Sequence, residues 1–408
     1  MVSVEPGTLA GPEMARIWMS GNEYNDTRDG GAANGLWDTV VGTVTVGAAF
    51  ARSGFYGARV NPIVAGSHYR EKTLVSAANS NNDCKYGFVI QPKVRVNTLT
   101  ELVVFSGTTQ FSLRSDVDGH LELWNDIGIV QVGGDSAILA LDTWYWINLT
   151  FINGTAVLTA KIDGASFASG PITAGGIEVL DHGIGISTAA TGEFWYDDHV
   201  FNDQTGANET GEPGDQKIII CKPNAAGDSA NGSRGGADSG SDFGQLDEDP
   251  PNDATDYYIL DIANDRIEVN CEAASLFIGA NDTVKAVQPV VRHRAESAAL
   301  MSYAATIKSQ ALGTRQTGNT ITHNDATWKT NGDVLPRLPS LTSYTDPQGG
   351  GAWTTALLDT AQPGVIAIDA TPDVWITSLA FLVAYVPVVV TTAIQDPILS
   401  GGVIPFAR

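Results

Sequence analysis

Three dipeptides constrain this chain more than anything else in it: Asp118-Gly119, Asn153-Gly154 and Asp163-Gly164, each between short runs of alternating apolar and polar residues. Asp-Gly and Asn-Gly reach positive φ at low cost and close tight hairpins, whereas in a helix interior each glycine is costly. Before the first turn stands Phe111 to Ser115, and after it His120 to Trp124. Leu121 and Leu123 then face one side of a pleated strand while His120, Glu122 and Trp124 face the other. Trp144 to Phe151, WYWINLTF, keeps the same period of two, and Ala156 to Ile162 follows the second turn. A chain punctuated in this way folds as antiparallel β-structure.

Length and charge bound the rest. At 408 residues, two or three domains are expected, and 43% apolar residues suffice for their cores. The formal charge of -23 argues against a nucleic-acid partner, because a phosphate backbone needs a basic surface. Three cysteines, Cys84, Cys221 and Cys271, make no disulfide framework and match no zinc or iron-sulfur spacing. Buried thiols are expected, with a Cys221–Cys271 bridge as the alternative. The start, MVSVEPGTLA, shows no basic region followed by an apolar stretch, so no ordinary signal peptide is expected, and the Asn-X-Ser/Thr sequons gain little weight. Leu379 to Ile394 is apolar but short for a membrane helix, contains Pro387 and is crowded with β-branched residues. It reads as core or interface strands, without membrane insertion.

Gly183 to Asp203, GIGISTAATGEFWYDDHVFND, reads as two strands around a polar turn, the closing hairpin of an N-terminal β domain. Taken in order, SLRSDVDGHLELWND, LALDTWYWINLTFINGTAVLTAKIDG and this closing stretch resemble the laminin-G/concanavalin A-like jelly roll, in the version found in structural proteins of tailed bacteriophages. The resemblance spans residues 12 to 205. It implies a fold that carries lectins, glycosidases and passive capsid or tail modules alike.

A polar stretch at 206–217 reads as a linker, and 224–253, small and acidic, reads as a surface excursion and not a core element. DEDPPNDATDYY, TVKAVQPVVRHRAES and SYTDPQGGGAWTTALLDTAQPGVIAI resemble a recurrent phage virion module and imply a second, smaller β-sandwich over 218–370. Residues 371–408 then read as a C-terminal extension. The expected fold is all-β: two antiparallel, jelly-roll-like β-sandwich modules in tandem, the first over 1–205, with that extension behind them.

The chemistry on offer is sparse. Adjacent carboxyls at Asp197 and Asp198 face opposite sides of a regular strand and make no acid/base pair. Glu122 with Glu193 or with Asp198 would serve only if the fold joined them. Asp116 and Asp118 offer the opening of a calcium loop, weighed against a plain Asp-Gly turn; no other cofactor is indicated. The six histidines show no ligand spacing and are expected to be structural or at the surface. Trp124, Trp195 and Tyr196 are the candidates for a glycan platform, weighed against core packing. Phe381, Leu382, Val383, Tyr385 and Val386 are the candidates for an assembly interface.

Together with the resemblance, these residues imply a non-enzymatic virion protein, a capsid decoration or head or tail appendage assembled in the bacterial host cytoplasm. Its partners would be other capsid, neck or tail proteins and copies of itself. The alternative is an adhesin on the same particle that binds a cell-surface glycan, and a glycoside hydrolase stands third.

Overall fold

The computed structural model describes residues 16–27, 35–74, 83–203, 208–236, 240–310, 313–324, 326–331, 339–369 and 371–388. Two antiparallel sheets form from residues 16–202. One runs Ala165–Pro171, Val157–Ile162, Tyr145–Ile152, Cys84–Val94, Glu193–Asn202, Gly57–Val60, Val44–Gly47, with Arg16–Ser20 also on Glu193–Asn202. The other runs Val130–Gln131, Leu121–Asn125, Phe111–Ser115, Thr100–Gly107, Ile177–Ile184, His68–Thr73, Thr39–Val41. They close on one apolar core that includes Phe88, Phe105, Leu113, Leu123, Leu149 and Tyr196. The hairpins at the three Gly dipeptides form as expected: Phe111 to Ser115 pairs with Leu121 to Asn125, and Val157 to Ile162 pairs on both sides.

Two six-stranded antiparallel sheets follow, from Lys217–Cys221 through Val374–Val386, around a second core with Val269, Tyr303, Ile307, Val365 and Phe381. The all-β, two-sandwich reading therefore holds. Thr355–Leu358 is the single α-helical turn among the described residues, capped by the Thr354 hydroxyl, which accepts from the Leu357 N–H at 3.3 Å.

Three expectations need correction. Gly183 to Asp203 is not a hairpin: Ile177–Ile184 lies in the seven-stranded sheet and Glu193–Asn202 in the eight-stranded one, so the turn between them crosses from sheet to sheet. The stretch 224–253 is not an excursion only, since Pro223–Ala230 and Ser233–Gly236 are strands of the two different second-sandwich sheets. Within the expected extension at 371–408, the described residues 371–388 belong to the second sandwich. Val374–Val386 is a central strand, paired on one side with Thr283–Ala295 and on the other with Lys217–Cys221 and Asp256–Leu260. It ends before Pro387, which lacks the N–H the ladder needs. Residues 389–408 lie outside the described residues.

Alternation along that strand decides the assembly candidates. Phe381, Val383 and Tyr385 point into the second core, and Leu382 points the other way, into a third buried layer with Met19, Tyr24, Val200, Ile218, Ile220, Val290 and Ala384. Val386 is half-buried at the strand end. This third layer joins the two sandwiches, so Leu382 does form an interface, but an internal one. All three cysteines are buried free thiols, and no Cys221–Cys271 bridge is present.

Candidate functional site

At the seam between the sandwiches, Asp197 and Asp198 do not behave as residues of a regular strand. A bulge falls between Asp197 and Val200, and Asp198 takes φ +53°. Both carboxyls therefore reach the same loop. Asp197 Oδ2 accepts from the N–H of Arg52 at 2.8 Å and of Ser53 at 3.2 Å, while Asp198 Oδ1 accepts from Ser53 Oγ at 2.5 Å and from the Ile218 N–H at 2.8 Å. Arg52 pairs with Asp198 at 3.3 Å and with Asp215 at 2.6 Å. Burial raises both carboxyls above the usual range, and each Asp197 or Asp198 oxygen already has a protein donor. The pair is a clamp between modules.

The histidines are less scattered than their spacing suggests. Tyr86 Oη lies 2.6 Å from His182 Nδ1 and 2.7 Å from His199 Nδ1, and Arg70 Nη2 lies 3.3 Å from His199 Nε2, all buried between the sheets. A guanidinium only donates, so His199 Nε2 accepts and its proton sits on Nδ1. That proton goes to Tyr86, and the Tyr86 hydroxyl in turn donates to His182 Nδ1. His182 then carries its proton on Nε2, an atom with no partner among the described residues. Burial pushes both imidazoles well below their ordinary range. The network staples one sheet to the other.

A mixed row of side chains lies on the outer face of the seven-stranded sheet, half-buried at Thr39, Glu71, Asp181, Trp124 and Gln131 and buried at Val104 and Ser112. Six directly opposed pairs, Thr39–Glu71, Glu71–Asp181, Asp181–Val104, Val104–Ser112, Ser112–Trp124 and Trp124–Gln131, link into one unbroken row across all seven strands. At about 4.8 Å between strands the row is roughly 29 Å long. On the five central strands the inward neighbours Arg70, Leu180, His182, Val103, Leu113 and Leu123 are buried, which fixes the outward direction of the row.

Trp124 is half-buried at one end, its Nε1 donating to Glu122 at 2.8 Å and one ring face lying 4.6 Å from the Arg114 guanidinium. Arg114 is itself held by Asp126 at 2.7 Å. At the other end Glu71 and Asp181 stand side by side. Burial, and then the Glu71 charge, push the Asp181 carboxyl up to about 7. Its Oδ1 has no hydrogen-bond partner among the described residues.

The remaining candidates separate. Trp195 stands on the outer face of the eight-stranded sheet, covered by Lys93 Nζ at 4.1 Å from its ring and edge-on to Phe50 at 5.1 Å. Beside it, a depression of about 380 Å³ is lined by Thr43, Thr45, Arg59, Asn61, Ile63, Val64 and His68. Tyr196 points inward instead, donating to the Gly183 carbonyl at 2.7 Å. It is no platform. Asp116 Oδ1 accepts from the N–H groups of Asp118, Gly119 and His120 at 3.0, 2.6 and 2.8 Å, which is the plain turn and leaves that oxygen committed. Asp118 sits exposed in the same turn. Among the described residues no group of three or more His, Cys, Asp or Glu is placed to hold a metal. Glu122 and Glu193 lie on the outer faces of different sheets and Asp198 is buried at the seam, so the three form no pair. Sequence reasoning found Trp124 and Glu122 but missed Glu71 and Asp181, whose meeting depends on strand register alone.

No family model matches the sequence, and no curated relative does. Among solved structures, the chain overlaps the cellulose-induced protein Cip1 at TM-score 0.33 and 12% identity, over 39% of this chain and 84% of that one. Trypanosoma rangeli sialidase overlaps at TM-score 0.28 and 11% identity, over 36% of this chain and 25% of the sialidase. The binding domain of botulinum neurotoxin serotype G does so at TM-score 0.30 and 11% identity, over 40% of this chain and 42% of that domain. The chain thus spans a quarter of the sialidase and less than half of the toxin domain.

Proposed function

We propose that this chain is a non-enzymatic glycan-binding protein that uses the outer face of its seven-stranded sheet. The supporting observation is the unbroken row from Thr39 to Trp124, which sets the Thr39 hydroxyl and the adjacent Glu71 and Asp181 carboxyls at one end and an aromatic ring at the other, with Val104 and Ser112 between them. Sugars need that combination: hydrogen-bonding groups for hydroxyls and an apolar plate for a ring face. The separation of Glu122, Glu193 and Asp198 favours binding over hydrolysis. Display on a bacteriophage particle, as the sequence resemblance implies, would make such a face an adhesin, multiplied by copy number.

A glycan array with the full chain tests this. Saturable binding, weakened tenfold or more by Trp124→Ala, is the expected outcome. Release of reducing ends that disappears in Asp181→Asn would overturn the non-enzymatic part, and silence across the array would overturn the whole.

One observation favours the second reading, decoration of a capsid or tail through protein contacts. The hairpin tip between Leu121–Asn125 and Val130–Gln131 exposes Ile127 by 50%, Ile129 by 77% and Val130 by 56%. An apolar tip of this kind suits a protein surface better than water. Imaging of particles with the protein located at symmetric sites, in a preparation that binds no glycan, is the result that would select this reading.

A further inference from the structure

Glu71 and Asp181 face each other in register on adjacent antiparallel strands, an arrangement in which like charges repel directly. The cations nearest in sequence do not relieve it. Arg70 turns inward to Asn22 and His199, and Lys72 turns inward to Asp38 at 3.4 Å. The other neighbours on the outer face are the Thr39 hydroxyl, 3.5 Å from Glu71 Oε1, the apolar Val104, and the Tyr69 phenol, itself pushed up by burial and by these two acids. Arg114 stands two strands from Asp181 and is paired with Asp126. Two carboxyls in this position cannot both ionise cheaply; the stable state keeps a proton on one of them.

Building on the glycan-binding reading, we infer that Glu71 and Asp181 hold one proton between them at neutral pH and thereby select an uncharged oligosaccharide. The protonated carboxyl donates to a sugar hydroxyl and its ionised neighbour accepts from the next. Burial and the Glu71 charge place the proton on Asp181, whose carboxyl is held up to about 7. Uronic and sialic acids are excluded, because the face presents Glu71 and Glu122 while its one arginine is already paired. Above the pH at which the proton leaves, two adjacent carboxylates remain, the donor is gone, and binding weakens.

Two experiments on the full chain test the inference separately from the reading it rests on. The first needs no sugar: carbon-detected NMR of chain labelled at its aspartate and glutamate carboxyls, titrated from pH 4 to pH 9. One carboxyl titrating with a midpoint of about 7, absent in Asp181→Asn and moved down by about one pH unit or more in Glu71→Gln, is expected. Finding the Asp181 carboxyl below pH 5 would overturn the shared proton, as would a midpoint that collapses on adding millimolar calcium, which would make the occupant a cation.

The second measures binding of chitotetraose, cellotetraose and sialyllactose by calorimetry at pH 6 and pH 8.5. An uncharged tetramer is expected to bind about tenfold more weakly at pH 8.5, with that dependence lost in Asp181→Asn and no binding of sialyllactose. Preference for sialyllactose, or the same affinity at both pH values, would overturn the selection. A carboxyl titrating near 7 in a chain that binds no sugar would keep the shared proton and remove the glycan reading.

Discussion

Both sandwiches bury two histidines between their sheets, and they end the resulting hydrogen-bond chain differently. In the second, His293 Nε2 lies 2.5 Å from the Asn331 carbonyl, which fixes it as the donor there, so its Nδ1 accepts from His323 Nδ1 at 3.1 Å. The same carbonyl accepts from Tyr303 Oη at 2.7 Å. That chain closes on a backbone oxygen with lone pairs for two donors. In the first sandwich Tyr86 sits in the middle, a single hydroxyl that accepts from His199 and donates to His182, and the chain ends on an unpartnered His182 Nε2–H. A backbone terminus makes a buried polar pair tolerant of side-chain changes, whereas a side-chain relay concentrates its dependence on one atom.

The largest expected difference follows from that atom. Tyr86→Phe leaves a donor on His199 and an acceptor on His182 buried without partners, at about 1–3 kcal/mol each, so a loss of about 2–6 kcal/mol is expected. Tyr303→Phe removes one of two donors to the Asn331 carbonyl and is expected to cost about 1 kcal/mol. Urea unfolding of both variants provides the check. Equal losses would show that the Tyr86 relay is no more demanding than the carbonyl terminus, and the contrast between the sandwiches would fail.

A smaller effect separates the sandwiches by pH. His182, His199 and His293 are all held well below the ordinary imidazole range, chiefly by burial. Each binds a proton more readily in the unfolded chain, so its contribution is complete above about pH 6.5 and is lost below it at up to about 1.4 kcal/mol per pH unit. Asp181, beside His182, has the opposite sign. Its carboxyl is held up to about 7, so the folded chain keeps a proton that the unfolded chain has released, and stability rises as pH falls through that value. The first sandwich thus carries a counterweight next to its histidine relay. Asp181→Asn removes it, and the variant is expected to lose stability between about pH 6.5 and 5 more steeply than the parent chain, by about 1.4 kcal/mol per pH unit. Parallel stability curves would show that no proton is held there.

Local sequence carried much of this architecture and little of the site. The Asp-Gly and Asn-Gly turns, the alternation of Leu121 and Leu123, and the Trp144 to Phe151 pattern specify strands because each depends on neighbours a few residues away. Gly183 to Asp203 misleads because the same pattern serves a hairpin and a crossover, and which sheet a strand joins is decided by partners more than a hundred residues distant, such as Cys84–Val94. Asp197 and Asp198 would face opposite sides only on an unbroken strand, and the bulge that puts Asp198 at φ +53° breaks that alternation. Val374–Val386 looked like an extension because both its faces are apolar. One faces a core and the other faces the neighbouring sandwich, so no polar alternation survives to mark it as a strand of the second module. Glu71 and Asp181 are invisible for the same long-range reason.

The smallest predicted effect asks whether the two sandwiches can be compared as separate units at all. Ile129, at the exposed hairpin tip of the first sandwich, has φ +52°, a left-handed conformation that costs an L-residue about 1–2 kcal/mol and a β-branched one no less. At 77% exposure the side chain gains little from burial. Ile129→Gly relieves the strain but gives the unfolded chain more freedom, so a net gain of at most about 1 kcal/mol is expected. If the modules unfold independently, that gain moves only the transition reported by first-sandwich probes. If the layer of Met19, Val200, Ile220 and Leu382, with the Asp198 clamp to Ser53 and Ile218, binds them into one cooperative unit, both transitions move together. In that case the Tyr86 and Tyr303 variants report on one shared stability, and their unequal costs measure how each hydrogen-bond chain ends, free of any difference between the cores around them.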